Sequence, residues 1–135
     1  MLKGKSALVT GSTSGIGLGI AEGLAREGVN VMLNGFGDAA EIEKIRAGLE
    51  AKFKVKVLYD GADMSKPEQI EAMMKRAADA FGGVDILVIN ASIEILEDWQ
   101  AISRAHFDRQ IQVNLWATLA LLQELMATAS IMGRS

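Results

Sequence analysis

Between Thr10 and Gly17 the chain reads Thr-Gly-Ser-Thr-Ser-Gly-Ile-Gly, with Gly11, Gly15 and Gly17 separated by the hydroxyl residues Ser12, Thr13 and Ser14 and by Ile16. These residue types at this spacing suit the holding of a phosphate. An anion needs several N–H donors converging on one point with no side chain in the way, and a helix N-terminus supplies unpaired N–H groups and a favourable dipole. Gly11 permits a tight exit from a strand, Gly15 lets backbone approach a pyrophosphate, and Gly17 lets a helix lie close to that strand. Ser12, Thr13 and Ser14 are expected to add hydroxyl donors. No Lys-Ser or Lys-Thr pair follows the last glycine, so the stretch is not a Walker A loop.

The elements needed to position this turn are present. Ala7–Thr10, Val29–Leu33, Val55–Tyr59 and Val84–Ile89 are short, nearly continuous apolar runs, as expected of parallel strands covered on both faces. Segments of helical period separate them. The first, Gly15 to Glu27, puts Ile16, Ile20, Leu24 and Ala25 inward, and the second covers Ala39 to Phe53. A third begins with Ser65 as N-cap, Pro67 in the first turn and Glu68 completing a capping box, before a core face of Ile70, Met73, Met74 and Ala77. The last helix starts near Ser103 and carries Phe107, Ile111, Leu115, Leu119 and Leu122 along one stripe, with Trp116, Leu121 and Leu125 beyond it.

This pattern predicts an α/β fold: a Rossmann-type three-layer half-domain spanning residues 1–135, with 126–135 set aside as an irregular tail. Its parallel sheet of about four strands has order 3-2-1-4, the first two helices on one face and the last two on the other. The fourth strand then has an open edge, and the last helix is apolar around most of its circumference. Homo-oligomerisation through either surface is expected, with Trp116 as the leading contact.

Composition narrows the partners. The 135 residues are 50% hydrophobic and carry a net charge of −3 with no basic cluster, which speaks against nucleic acid. No apolar run spans a bilayer, and a chain without cysteine is compatible with the cytoplasm. One histidine, His106, cannot build a metal cage and is read as a solvated surface residue, so no metal is expected.

Which dinucleotide fits depends on the end of the second strand, where a carboxylate grips adenosine ribose hydroxyls or an arginine accepts a 2′-phosphate. Asn34, Gly35 and Phe36 occupy that place, with Asp38 just beyond, and no basic residue lies in Ser12–Ser14 or Asn34–Asp38. NAD is expected ahead of NADP.

The Thr10–Gly17 stretch matches the T-G-x-x-x-G-x-G signature of the short-chain dehydrogenase/reductase family, which the chain resembles; residues 1 to about 63 resemble its D-3-hydroxybutyrate dehydrogenase branch. The resemblance implies that Asp63 and Met64 contact the adenine. Ile89-Asn90-Ala91-Ser92 stands where the family's N-N-A-G lines the cofactor ribose, with Ile89 departing from asparagine and Ser92 from glycine. Asn114 matches an asparagine that supports a proton relay, and is kept as a vestigial catalytic position. The family's serine and tyrosine-x-x-x-lysine pair has no counterpart. The one tyrosine, Tyr59, is followed at the fourth place by Asp63 and is read as a structural strand residue. Gly133-Arg134 resembles the entry to a fifth strand, so a natural or engineered truncation covering the nucleotide-binding half is expected. Three functions stay open: a binding module without turnover, an oxidoreductase on a small hydroxy acid or ketone completed by a partner or dimer, and a structural scaffold that dimerises.

Overall fold

Four parallel strands form the sheet of this computed structural model, which describes residues 2–91 and 100–131, the side chains of 128–131 excepted. β1 (Ser6–Val9), β2 (Asn30–Asn34), β3 (Val57–Asp60) and β4 (Ile86–Val88) lie in the order β3-β2-β1-β4. Leu8 stands opposite Met32 on one side and Leu87 on the other. This is the expected topology.

The strand side chains alternate between two cores. Ala7, Val9, Val31, Leu33 and Val57 face α1 (Gly15–Arg26) and α2 (Ala39–Phe53), meeting Ala21, Ala25 and Leu49. Leu8 and Met32 face α3 (Pro67–Phe81) and α5 (Ala117–Ile131), meeting Ile70, Met73, Met74, Ala77 and Leu121. Both faces are covered, so both parities of each strand are apolar and the runs are continuous. At the outer edge of β3, Arg46 and Arg76 donate to the carbonyls of Val57 and Tyr59 at 2.9 and 2.7 Å.

Several local expectations are corrected. Ile16 is 79% exposed rather than inward, because Ala21 and Ala25 set a close approach of α1 to the sheet with Leu18, Ile20 and Leu24 beside them. Lys66, not Ser65, is the N-cap of α3. The residue before a proline is driven to extended backbone, and Lys66 has φ −120°, so helix geometry starts only at Pro67. The Ser65 hydroxyl donates instead to Asp63 Oδ1 at 2.7 Å, and Gln69, rather than Glu68, reaches back to accept from the Asp63 N–H at 2.8 Å.

The largest difference lies after β4. Ser103 does cap α4 (Arg104–Ile111), accepting from the His106 N–H. A five-residue π-helical stretch, Gln112–Trp116, then leads into α5. Val113, Ala117 and Leu121 face the sheet, whereas the expected stripe of Phe107, Ile111, Leu115, Leu119 and Leu122 is exposed, as are Trp116 and Met126. Helix geometry also continues through Ile131, where an irregular tail from 126 was the expectation. Ser92, Trp99 and Gly133-Arg134 lie outside the described residues.

Candidate functional site

The ends of β1, β2, β3 and β4 open together into a cleft of about 480 Å³. Its floor is a hydrogen-bonded junction. Thr10 is fully buried, and its hydroxyl accepts from the backbone N–H groups of both Asn90 and Ala91 at 3.0 Å. Asn90 Nδ2 returns a bond of 3.0 Å to the Gly11 carbonyl. These contacts clamp the exit of β1 to the exit of β4.

The glycines have separable roles. Gly11 has φ +61°, and a Cβ there would lie 2.9 Å from Ala91 Cα. A Cβ on Gly17 would overlap the Gly11 carbonyl oxygen and come within 2.6 Å of Asn90 Nδ2, so α1 can start this close to the strand only without a side chain. Gly15, at φ +58°, has no described residue outside its own turn within 4 Å of where its Cβ would be. Ser14 is the α1 N-cap in extended backbone, and its side chain makes no cap bond. Among the described residues, none caps the orphan N–H groups in the opening turn of α1.

Ser12 departs from expectation as a hydroxyl donor to an anion. It is fully buried, donates to Val9 O at 2.7 Å and accepts from the Asn34 N–H at 3.0 Å. Thr13 lines the cleft, but its hydroxyl donates to Phe36 O at 3.1 Å. Asn34 also lines it with its amide fully engaged: Oδ1 accepts from the Gly11 N–H at 3.2 Å, and Nδ2 donates to the carbonyls of Asp60 and Ala62, both at 3.0 Å. The side chain expected at the ribose is thus a brace between three strand ends.

Ser14, Ile16, Phe36, Asp63, Met64, Asn90 and Ala91 all line the cleft. Asp63 Oδ1 accepts from the Ser65 N–H at 2.9 Å. That bond, the Ser65 hydroxyl, and the charges of Arg109 and Lys66 hold its carboxyl below the usual range against the opposing effect of burial. Asn114 sits on the exposed side of the π-helical stretch, outside the lining.

Arg109 and Val113 line the cleft and were missed, together with the backbone position Ala62. The signal was available: 109, 113, 117 and 121 recur at intervals of four, so the face carrying Val113 and Ala117 to the sheet also carries Arg109 to the cleft rim. Among the described lining residues Arg109 is the sole cation.

The profile of the short chain dehydrogenase family matches residues 5–134. The chain belongs to that family. It is 51% identical over 117 residues to a D-beta-hydroxybutyrate dehydrogenase of Cupriavidus necator, covering 85% of this chain and 44% of that protein. A second protein of that description, from Rhizobium meliloti, is 47% identical over 111 residues, 82% of this chain and 43% of its own length. Among solved structures, a short chain dehydrogenase of Burkholderia cenocepacia in complex with NADP superposes with a TM-score of 0.88 at 34% identity, over 93% of this chain and 51% of that one. The L-sorbose reductase of Gluconobacter frateurii, complexed with NADPH and L-sorbose, gives 0.87 at 33% identity, over 93% and 48%. This short-chain dehydrogenase sequence spans about half the length of the relatives it matches. Among its described residues no helix is long and apolar enough to cross a membrane.

Proposed function

We propose that this chain is a dinucleotide-binding module of the short-chain dehydrogenase family that takes NAD(H) and does not turn over substrate by itself. The observation that carries this reading is the first turn of α1, which no described residue caps, with Gly15 open and Gly17 packed on Gly11, facing the cleft. In this reading the pyrophosphate lies on that turn. Phe36 and the Gly35 backbone meet the adenosine ribose, Asp63 and Met64 meet the adenine, and Asn90 and Ala91 meet the other ribose; Ser92 and the vestigial Asn114 keep the roles that family resemblance gives them. NAD is preferred because residues 12–14 and 34–38 hold no cation for a 2′-phosphate and Asp38 adds a carboxylate. A cytoplasmic location belongs to the same proposal.

Identity near half to two D-beta-hydroxybutyrate dehydrogenases favours a second reading, an oxidoreductase on a small hydroxy acid or ketone once a partner or dimer contact completes the site. NADH oxidation with acetoacetate, absent in Gly15→Trp, would support it. The assay that tests the first reading is thermal unfolding with and without nucleotide. At one hundred times Kd, NADH should stabilise the chain by about 2.7 kcal/mol. An unchanged Tm with both NADH and NADPH, together with silent calorimetry, overturns it.

The same chain is proposed to self-associate through the outer edge of β4 or through α4 and α5, which would also serve the scaffold reading. The support is an exposed stripe containing Phe107, Ile111, Leu115, Leu119 and Leu122, larger than the isolated apolar residues usual on a surface. Light scattering should give twice the 14.4 kDa chain mass. Leu115→Glu with Leu119→Glu should return one chain mass if the helices form the contact, with stability changed by no more than about 0.5 kcal/mol, because both residues are exposed within the chain.

A further inference from the structure

The loop from β2 to α2 is built from residues that should leave it loose. Gly35 and Gly37, at φ +152° and +149°, flank Phe36, whose side chain is 68% exposed at the cleft. Two glycines give such a loop many alternatives. Yet both carbonyls ahead of Gly37 are tied down from outside the loop: Tyr59 Oη donates to Gly35 O at 2.5 Å, and Thr13 Oγ1 donates to Phe36 O. The tyrosine reaches this point because Leu33 and Tyr59 are register partners, and Gly35, two residues beyond Leu33, falls on the same side of the strand path. On the other side of Gly37, the Asp38 carboxylate is fixed by accepting the Glu41 N–H at 3.0 Å.

We propose that Tyr59 is a positioning residue for nucleotide choice: its hydroxyl holds Gly35–Phe36 so that the Phe36 ring occupies the space a 2′-phosphate would need. The inference rests on the nucleotide reading above. Nothing in the hydrocarbon part of Tyr59 is required for it, since a phenylalanine ring would pack against the same core and lack only the bond. Gly61 supplies an independent handle. A Cβ there would lie 2.9 Å from Tyr59 Oη, so alanine pushes the phenol, hydroxyl and ring together, away from the Gly35 carbonyl without removing the hydroxyl itself.

The test measures Kd for NADH and NADPH by calorimetry in the 135-residue chain and in its Tyr59→Phe and Gly61→Ala variants. Releasing the loop should weaken NADH about tenfold, the effect of one lost hydrogen bond at a binding loop. NADPH should change less than about threefold, because space opened for the phosphate offsets the lost order. A narrowed NADH:NADPH ratio in both variants supports the proposal. Equal weakening of both nucleotides in step with a fall in Tm shows a merely structural tyrosine and overturns it, as do unchanged affinities. If the parent chain binds neither nucleotide, the nucleotide reading falls and this inference falls with it.

Discussion

Gly17→Ala is expected to destabilise the chain by about 3 kcal/mol and to abolish nucleotide binding, whereas Gly15→Ala should leave a folded protein that binds poorly. The two glycines sit two residues apart in one turn and differ in what surrounds them. The Cβ added at Gly17 would run into the Gly11 carbonyl oxygen, a backbone atom, and into Asn90 Nδ2, which itself bonds that carbonyl. No rotamer change relieves this. α1 must lift from β1, the Asn90 bond must break, and the amides that face the cleft lose their common aim.

At Gly15 the added carbon meets no described residue outside its own turn within 4 Å, and the strain is confined to a left-handed backbone, φ +58°. That costs roughly 1–2 kcal/mol for a residue bearing Cβ. The carbon projects where an anion would lie, so affinity should fall at least tenfold while the unfolding transition stays cooperative. Denaturant unfolding beside nucleotide titration checks both variants. If Gly17→Ala proves as stable as the parent, the close packing of α1 on the strand is wrong.

The same contrast shows what the amino-acid order disclosed. The sheet was legible because strands buried on two faces must be apolar at both parities, and α2, Ala39–Phe53, was legible because Ile42, Ile45 and Leu49 recur at spacings of three and four. The position of the glycine-rich turn was legible because glycine spacing follows directly from backbone geometry. The facing of α4 and α5 was not. Apolar residues surround that helix, so period alone selects no side, and the large stripe looked like the buried one. What decides the side is close approach. Val113 and Ala117 are small enough to admit the helix to the sheet, and they leave the bulky residues outside.

Side-chain allegiance was hidden for a related reason. Ser12, Thr13 and Asn34 have the chemistry of ligand contacts, but three converging strand ends expose carbonyls and amides that need internal partners first. Ser12 and Asn34 satisfy each other and their neighbours, and Thr13 serves the Phe36 carbonyl. A polar residue at a sheet's carboxyl end is therefore divided between bracing and binding, and only the packed geometry shows which duty it has.

Asn34→Asp puts that division to a decisive test, because it installs the carboxylate that the ribose site of an NAD-binding fold would seem to want. The expected result is the reverse of an improvement. Asn34 is 2% exposed, and its Nδ2 donates to two carbonyls, those of Asp60 and Ala62. An ionised aspartate has no donor and would press its charge against both oxygens, retaining only the acceptor bond from the Gly11 N–H. Loss of about 3 kcal/mol or more at neutral pH follows, with NADH affinity reduced along with the brace.

The pH dependence has a definite sign. Burial and the two carbonyls disfavour the charged form, so the folded-state pKa of the new carboxyl rises above its unfolded value of about 3.9. Between those two values the folded state holds more protons than the unfolded state, and stability falls as pH rises. Measured against the parent at each pH, the deficit of Asn34→Asp should be largest at pH 7 and shrink toward pH 4, where the protonated acid recovers one donor. A deficit independent of pH would mean that the carboxylate has turned to water, and the bracing role of Asn34 would have to be withdrawn.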